Sequence, residues 1–248
     1  MDASLVAMLA PAMLVAALLY ASVGHGGASA YLAVMALAAV APAEMRPVAL
    51  QLNVLVSAIA TYKFWRAGHF RWPLFWPFAL ASVPAAALGG ALVLPGLPYR
   101  LLVGAVLVYA AWQMWWSARA GAEARPRRAL RVPVAVAIGA GLGLLSGLTG
   151  VGGGIFLSPL LLMFGWAGTR ETSAVAAPFI FVNSIAGLAP YAVAGGAVFP
   201  VMLAPLFAAV LLGGWVGAEY GSRRLTNPLI RQLLAAVLGI AGGKMILT

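Results

Sequence analysis

The sequence predicts an all-α polytopic membrane protein, and three observations carry that prediction. Of 248 residues, 64% are hydrophobic and only 8% are charged, a balance that a water-soluble domain does not sustain. Glycine, proline and charge divide the chain into about ten apolar segments of helical length. Most of the arginines fall between those segments rather than within them.

A span needs roughly 20 apolar residues to cross about 30 Å of hydrocarbon, so little of the chain is left for a soluble domain. In the first half the segments run over 4–22, 27–41, 47–64, 72–94 and 98–118. In the second they run over 132–148, 153–166, 172–192, 198–219 and 228–247. The first Lys or Arg is Arg46, so the apolar start lacks the basic flank of a signal peptide and reads as a retained helix. Between the halves lies ARAGAEARPRRALR, 118–131, with five arginines. The organisation is an N-terminal membrane repeat (1–118), a cytoplasmic Arg-rich linker (119–131) and a C-terminal membrane repeat (132–248).

Placing that linker inside and alternating outward puts the connection with Lys63, Arg66, His69 and Arg71 on the cytoplasmic side, together with Arg223 and Arg224. Both termini then fall outside, in the periplasm of a bacterial inner membrane. The net charge of +10 reports topology here and not nucleic-acid binding. Merging segments one with two and six with seven into simple spans would expel Arg223 and Arg224, whereas short, broken or re-entrant pairs keep the charge pattern. Trp65, Trp72, Trp76, Trp112, Trp115 and Trp116 cluster near segment ends as an interfacial belt. Cysteine is absent, which excludes disulfides, thiolate metal sites and cysteine nucleophiles, and no cofactor or metal is called for.

The halves are related. ASVGHGGASAYLA (21–33) superposes on GLTGVGGGIFLSP (147–159) at an offset of 126, matching Gly24, Gly26 and Gly27 with Gly150, Gly152 and Gly153. Asn53 then falls near Asn183, with small gaps. Five segments per copy is odd, so the copies enter the membrane in opposite orientation, the arrangement of many secondary transporters.

Each glycine cluster breaks a helix at membrane depth and starts another, exposing backbone N–H groups and the positive end of a helix dipole to an anion. Glycines spaced by three or four also serve close helix packing, but two symmetry-related breaks favour a binding site. The substrate-binding candidates are Gly24, His25, Gly26, Gly27, Ser29 and Asn53 in the first half. In the second they are Thr149, Gly150, Gly152, Gly153, Gly154, Ser158 and Asn183. His25 is the one ionisable side chain within a break, able either to add positive charge for an anion or to carry a coupling proton. The five acidic residues, Asp2, Glu44, Glu123, Glu171 and Glu219, all lie near segment ends, so no buried carboxylate awaits a cation. The partners expected are a small anionic substrate and the lipid bilayer.

The duplicated glycine elements, with GLTGVGGGIFLSPLL as the fuller copy, and the central basic linker resemble the TauE/SafE sulfite and organosulfur anion exporter family, also called the toluene sulfonate uptake permease family. The first copy departs from the motif, with Ala28 where Gly154 stands, Ala33 where Pro159 stands and His25 where Val151 stands. The resemblance implies transport of small sulfur-containing oxyanions, of the sulfite, sulfonate or sulfoacetate type, across a bacterial inner membrane. The other readings of the chain are a passive anion channel and an intramembrane hydrolase pairing Ser146 with His25.

Overall fold

The computed structural model describes residues 2–119, 128–223 and 228–247; most of the Arg-rich linker therefore lies outside the described residues. Ten α-helices account for nearly all of them: α1 (Ala3–Ala21), α2 (Ala28–Leu37), α3 (Pro42–Arg66), α4 (Trp72–Ala91), α5 (Gly96–Arg119), α6 (Val132–Thr149), α7 (Gly154–Met163), α8 (Thr169–Val193), α9 (Ala204–Arg223) and α10 (Pro228–Leu247). A single 3-10 turn, Val201–Leu203, leads into α9. Six helical stretches are long and apolar enough to span a membrane: Ala3–Ala21, Pro42–Arg66, Trp72–Ala91, Val132–Thr149, Thr169–Val193 and Val201–Ser222. With no water in the hydrocarbon to accept stray backbone bonds, such a sequence has only helices open to it as an all-apolar chain without a barrel pattern.

Local signals set the helix starts. The Asp2 carboxylate accepts the Leu5 amide at 2.8 Å and caps α1. Proline occupies the first turn of α3, α4 and α6, where its missing N–H costs nothing. At α8 the Glu171 carboxylate reaches back to the Gly168 amide at 3.0 Å.

Two seams of glycine hold the outer helices. Gly139, Gly143 and Gly147 of α6 lie on the carbonyls of Phe78, Ser82 and Ala86 of α4, so closely that a Cβ on any of them would overlap the carbonyl oxygen. Gly213, Gly217 and Gly221 of α9 lie in the same way on Leu14 and Leu18 of α1 and on Ser22, its C-cap. Both pairs run parallel, since the numbers rise together. Between lipid tails and side chains there is no hydrophobic gain, so close backbone approach at small residues is what joins such helices. By contrast α5 and α10 are antiparallel, Gly242 meeting Gly104 and Val108 while Gly239 meets Ala111.

In the centre α3 and α8 pack against each other and run in opposite directions. Glu171, in the first turn of α8, pairs at 3.5 Å with Arg71, just beyond the end of α3. Near that same end Lys63 pairs with Glu219 of α9 and stacks over Trp215 at 3.8 Å. The Arg128 amide, on the described part of the linker, donates to the Gly165 carbonyl after α7 at 2.9 Å. Lys63, Arg71, Arg128 and the end of α9 thus gather at one end of the bundle, here called the linker end. Trp65, Trp72, Trp112 and Trp116 are exposed around it, as an interfacial belt requires.

The short helices double back. α6 rises from the linker end, the chain breaks at 150–153, and α7 returns toward the linker end. α1 descends to the linker end, where Gly24 abuts Ser173 in the second turn of α8. From there α2 climbs away, and its last carbonyl, at Leu37, accepts Lys244 of α10 at 3.0 Å. Each short helix has 10 residues, about 15 Å of rise, or half a hydrocarbon thickness. Segments one–two and six–seven are therefore each a long helix followed by a half-length return.

The seam makes a sharp prediction. Gly143→Leu drives a side chain into the Ser82 backbone, while Gly141, one face away on the same helix, has nothing within 4 Å. Gly143→Leu is expected to destabilise the detergent-solubilised protein by about 3 kcal/mol or more, and Gly141→Leu by less than about 0.5 kcal/mol, in thermal unfolding.

Candidate functional site

Both helix breaks depend on backbone that only glycine adopts at low cost. Gly24 and Gly27 have φ of +76° and +97°, and Gly150, Gly152 and Gly153 have φ of +84°, +80° and +78°. Gly150 ends α6, while Gly27 and Gly153 immediately precede α2 and α7. At those positions a Cβ would be strained even where space exists.

The two breaks meet at the middle of the bundle. Asn53 stands eleven residues into the 25-residue α3, and Ile180 stands eleven residues into the 25-residue α8. A Cβ on Gly26 or on Gly152 would touch both of these side chains, and one on Gly154 would strike Ile180. The amino ends of α2 and α7 therefore begin at a common depth and point at one another from opposite halves.

Asn53 stitches the breaks together. Its Oδ1 accepts the Ala28 amide, the first of α2, at 3.2 Å. Its Nδ2 donates to the Val151 carbonyl and to Ser184 Oγ, each at 3.2 Å. One fully buried amide thus satisfies an exposed helix amide in the first break and a free carbonyl in the second. Ile180, at the matching place on α8, offers α7 nothing of the kind.

Further polar contacts line the first break. The Tyr31 hydroxyl donates to the Gly26 carbonyl at 2.9 Å, and Ser29 Oγ donates to the Tyr20 hydroxyl at 3.0 Å. Ser173 of α8 donates to the Val23 carbonyl at 2.9 Å. His25 Nδ1 lies 3.1 Å from the same carbonyl, which can only accept, so in the neutral ring Nδ1 carries the proton. Its Nε2, 3.1 Å from Ser158 Oγ, then accepts the serine proton and ties the first break to α7. The hydrolase pairing is not formed, because His25 meets Ser158 while Ser146 Oγ has no protein partner.

In the second break Thr149 is structural. Its hydroxyl donates to Leu145 at 2.7 Å and accepts the Val151 amide at 3.3 Å, closing the end of α6. The expected equivalence of Asn53 and Asn183 does not hold in space. Asn183 lies one turn beyond Ile180, where its Nδ2 donates to the Phe179 carbonyl of its own helix at 2.7 Å. Its Oδ1, like Ser146 Oγ, is buried without a protein partner.

Among the candidates, then, Gly26, Gly27, Asn53, Gly152, Gly153 and Gly154 converge, and His25 joins Ser158 across the halves. Gly24 and Gly150 sit farther out, against Ser173 and Arg46, each the fifth residue of its long helix. Ser29 faces Tyr20 behind the first break. Ile180, Ser184, Tyr20 and Ser173 had gone unremarked; only the equal spacing of Asn53 and Ile180 from the starts of their helices signals any of them. Arg46 spends both terminal nitrogens on the last carbonyls of α4, Gly90 and Leu92, at 2.9 and 2.8 Å.

Two apolar clefts, of about 590 Å³ along Trp72, Trp76 and Val83 and about 290 Å³ beside Trp112 and Ala235, lie on outer faces away from the breaks. Of the acidic side chains described, Asp2, Glu44 and Glu171 lie at helix starts and Glu219 near a helix end. Among the described residues no cluster of three metal-ligating side chains occurs.

The model of the family described as Sulfite exporter TauE/SafE matches residues 9–245. The chain belongs to that family. It is also 39% identical over 240 residues to a curated protein of Sinorhizobium fredii (strain NBRC 101917 / NGR234) named probable membrane transporter protein y4hK, covering 96% of this chain and 97% of the relative. Family and relative alike are named as transporters and not as enzymes, and the helices above make this TauE/SafE member a multi-pass membrane protein. No solved structure matches it.

Removing the Asn53 amide strands partners in both breaks. Asn53→Ala is expected to cost about 2–4 kcal/mol in thermal unfolding, since each buried orphan group costs roughly 1–3 kcal/mol. Asn183→Ala, which frees only a carbonyl already bonded within α8, is expected to cost clearly less.

Proposed function

We propose that this TauE/SafE protein is a secondary transporter that moves small sulfur-containing oxyanions, of the sulfite, sulfonate or sulfoacetate type, across the bacterial inner membrane by alternating access. One observation carries the reading: two half-length helices present their amino ends to each other at mid-depth, across backbone that is free of side chains. Helix amino ends attract anions, and at this depth their dipoles are little screened by water. The polar side chains described nearest to them are hydroxyls, amides and one imidazole, with no carboxylate among them to repel an anion.

Helix pairing supports an inverted repeat. If α1–α5 correspond to α6–α10, the α1–α9 seam corresponds to α6–α4, and the α3–α8 and α5–α10 pairs map onto themselves. Gly24 against Ser173 then corresponds to Gly150 against Arg46. Helix directions relative to the linker end reverse between the copies, as descent from an odd-numbered unit demands. The positive-inside rule places the linker end, with Lys63, Arg66 and Arg71, in the cytoplasm and the start of α1 in the periplasm.

Packing of both breaks around Asn53 favours a carrier over an open channel. A channel would hold a continuous aqueous path, whereas here Gly26, Gly27, Gly152 and Gly153 are buried and interlocked. Rocking of the α1–α9 and α4–α6 pairs against the α3–α8 centre would part Ser173 from the first break or Arg46 from the second, opening the centre to one side at a time. Coupling to an ion gradient runs either through a proton on His25 or through the charge of the substrate.

Proteoliposomes test this. Labelled sulfite is expected to exchange saturably, and Gly153→Val to reduce exchange to background while the protein still inserts and purifies as a folded species. Unchanged exchange in Gly153→Val contradicts the site, and many ions per opening in a planar bilayer contradict the carrier. Because the chain has no cysteine, single cysteines replacing Ser22 and Thr149 report access directly. Saturating sulfite is expected to change their labelling rates in opposite senses.

A further inference from the structure

The two helix amino ends are not equally available. α2 has an internal cap, because Asn53 Oδ1 already takes the Ala28 amide at 3.2 Å. α7 has no side-chain cap, and the residue facing it from the matching place on α8 is the aliphatic Ile180, whose side chain lies against Gly154. The amides of Gly154 and Ile155, in the first turn of α7, have no acceptor within the helix.

Two unpartnered polar atoms lie on the helix faces that line this free end. Ser146, fully buried on α6, has its Cβ 3.6 Å from where a Gly153 side chain would begin, and its Oγ bonds to no protein atom. Asn183, fully buried on α8, belongs to the helix face whose other members touch the second break: Phe179 at Gly153, Ile180 at Gly154 and Ser184 at Gly152. Its Nδ2 is committed to the Phe179 carbonyl, which fixes Oδ1 as a free acceptor.

A serine hydroxyl and helix amides donate; a carboxamide oxygen accepts. An anion with acceptor oxygens alone would leave Asn183 Oδ1 buried and unpaired, whereas an anion that also carries an O–H or N–H satisfies all three. We infer that the oxyanion binds at the amino end of α7 only, taking hydrogen bonds from the Gly154 and Ile155 amides and Ser146 and giving one to Asn183, so that the preferred substrate is a monoanion bearing its own proton donor. Hydrogensulfite and sulfamate belong to that class; sulfate and simple alkyl sulfonates do not. The substrate's own proton then crosses with it, and no side chain needs to titrate.

This inference rests on the transport reading and sharpens its site, and the experiment separates the two. Purified full-length protein is titrated by thermal shift with sulfamate and with methanesulfonate, monoanions of like shape that differ in an N–H donor against a methyl group, while labelled sulfite exchange is followed in proteoliposomes. Wild-type protein is expected to bind sulfamate roughly tenfold or more tightly than methanesulfonate, as buried polar sites discriminate against analogues that leave a group unpaired. Asn183→Leu is expected to bring that ratio near one. Ile180→Asn gives α7 the cap that Asn53 gives α2, and is expected to keep the fold's thermal stability while weakening both anions by roughly tenfold or more, the loss of charge-assisted hydrogen bonds. Should that variant fail to fold, Ser146→Ala stands in for it, with both anions expected to weaken about tenfold. Exchange of sulfite with no sulfamate preference, or with Ile180→Asn or the stand-in Ser146→Ala binding like wild type, overturns the inference and leaves the transport reading standing. Failure of wild-type protein to exchange sulfite overturns the transport reading itself.

Discussion

A helix interrupted inside a membrane leaves amides and carbonyls that lipid cannot satisfy, and everything central in this structure answers that constraint. Asn53 is the most economical answer. A single buried amide, reached from the middle of α3, accepts from the start of α2 and donates into the loop before α7. Tyr31 and Ser173 take up carbonyls of the first break, and Thr149 closes the second. What these residues leave uncovered, at the start of α7, is where a ligand has the most to offer.

The glycines do two separate jobs. Those at 24, 27, 150, 152 and 153 have left-handed backbone and make the breaks. Those at 139, 143, 147, 213, 217 and 221 are helical and let parallel helices touch backbone to backbone. The second set matters for motion as well as stability. A seam of glycine against carbonyl oxygens joins α1 to α9 and α6 to α4 as rigid pairs, each mixing a helix of one half with a helix of the other. Any rocking within the bundle is then confined to the surfaces between these pairs and the α3–α8 centre.

Much of the architecture was legible from the chain. Composition and punctuation locate most helix ends to within five residues, since most boundaries are marked by proline, glycine or charge; α3 runs over Pro42–Arg66 against an expected 47–64, and α9 over Ala204–Arg223 against an expected 198–219. The gathering of Lys63, Arg71 and Arg128 at one end was readable too, because only alternation of spans was needed. The candidate site was legible where backbone decides it, as at Gly26, Gly152 and Gly154. Where side chains decide it, linear matching failed. Asn53 and Asn183 look like partners in the sequence, yet α3 and α8 register so that Ile180 occupies the matching place. A displacement of three residues keeps a side chain on nearly the same helix face but carries it about 4.5 Å along the axis, and no composition rule sees that. The serine that meets His25 was likewise invisible as a pair, since contact between positions 25 and 158 depends on the return of α7.

The central claim is that the interrupted helices form one anion-holding point at mid-depth. Anomalous diffraction at the selenium edge from crystals of the methionine-containing protein grown with selenite, a heavier analogue of sulfite, tests it most directly. The account predicts a selenium peak about 4 Å from the Gly154 and Ile155 amide nitrogens, where the oxygens of the selenite accept hydrogen bonds from those amides and from Ser146. A peak confined to the ends of the bundle, among the arginines at its surface, would contradict it.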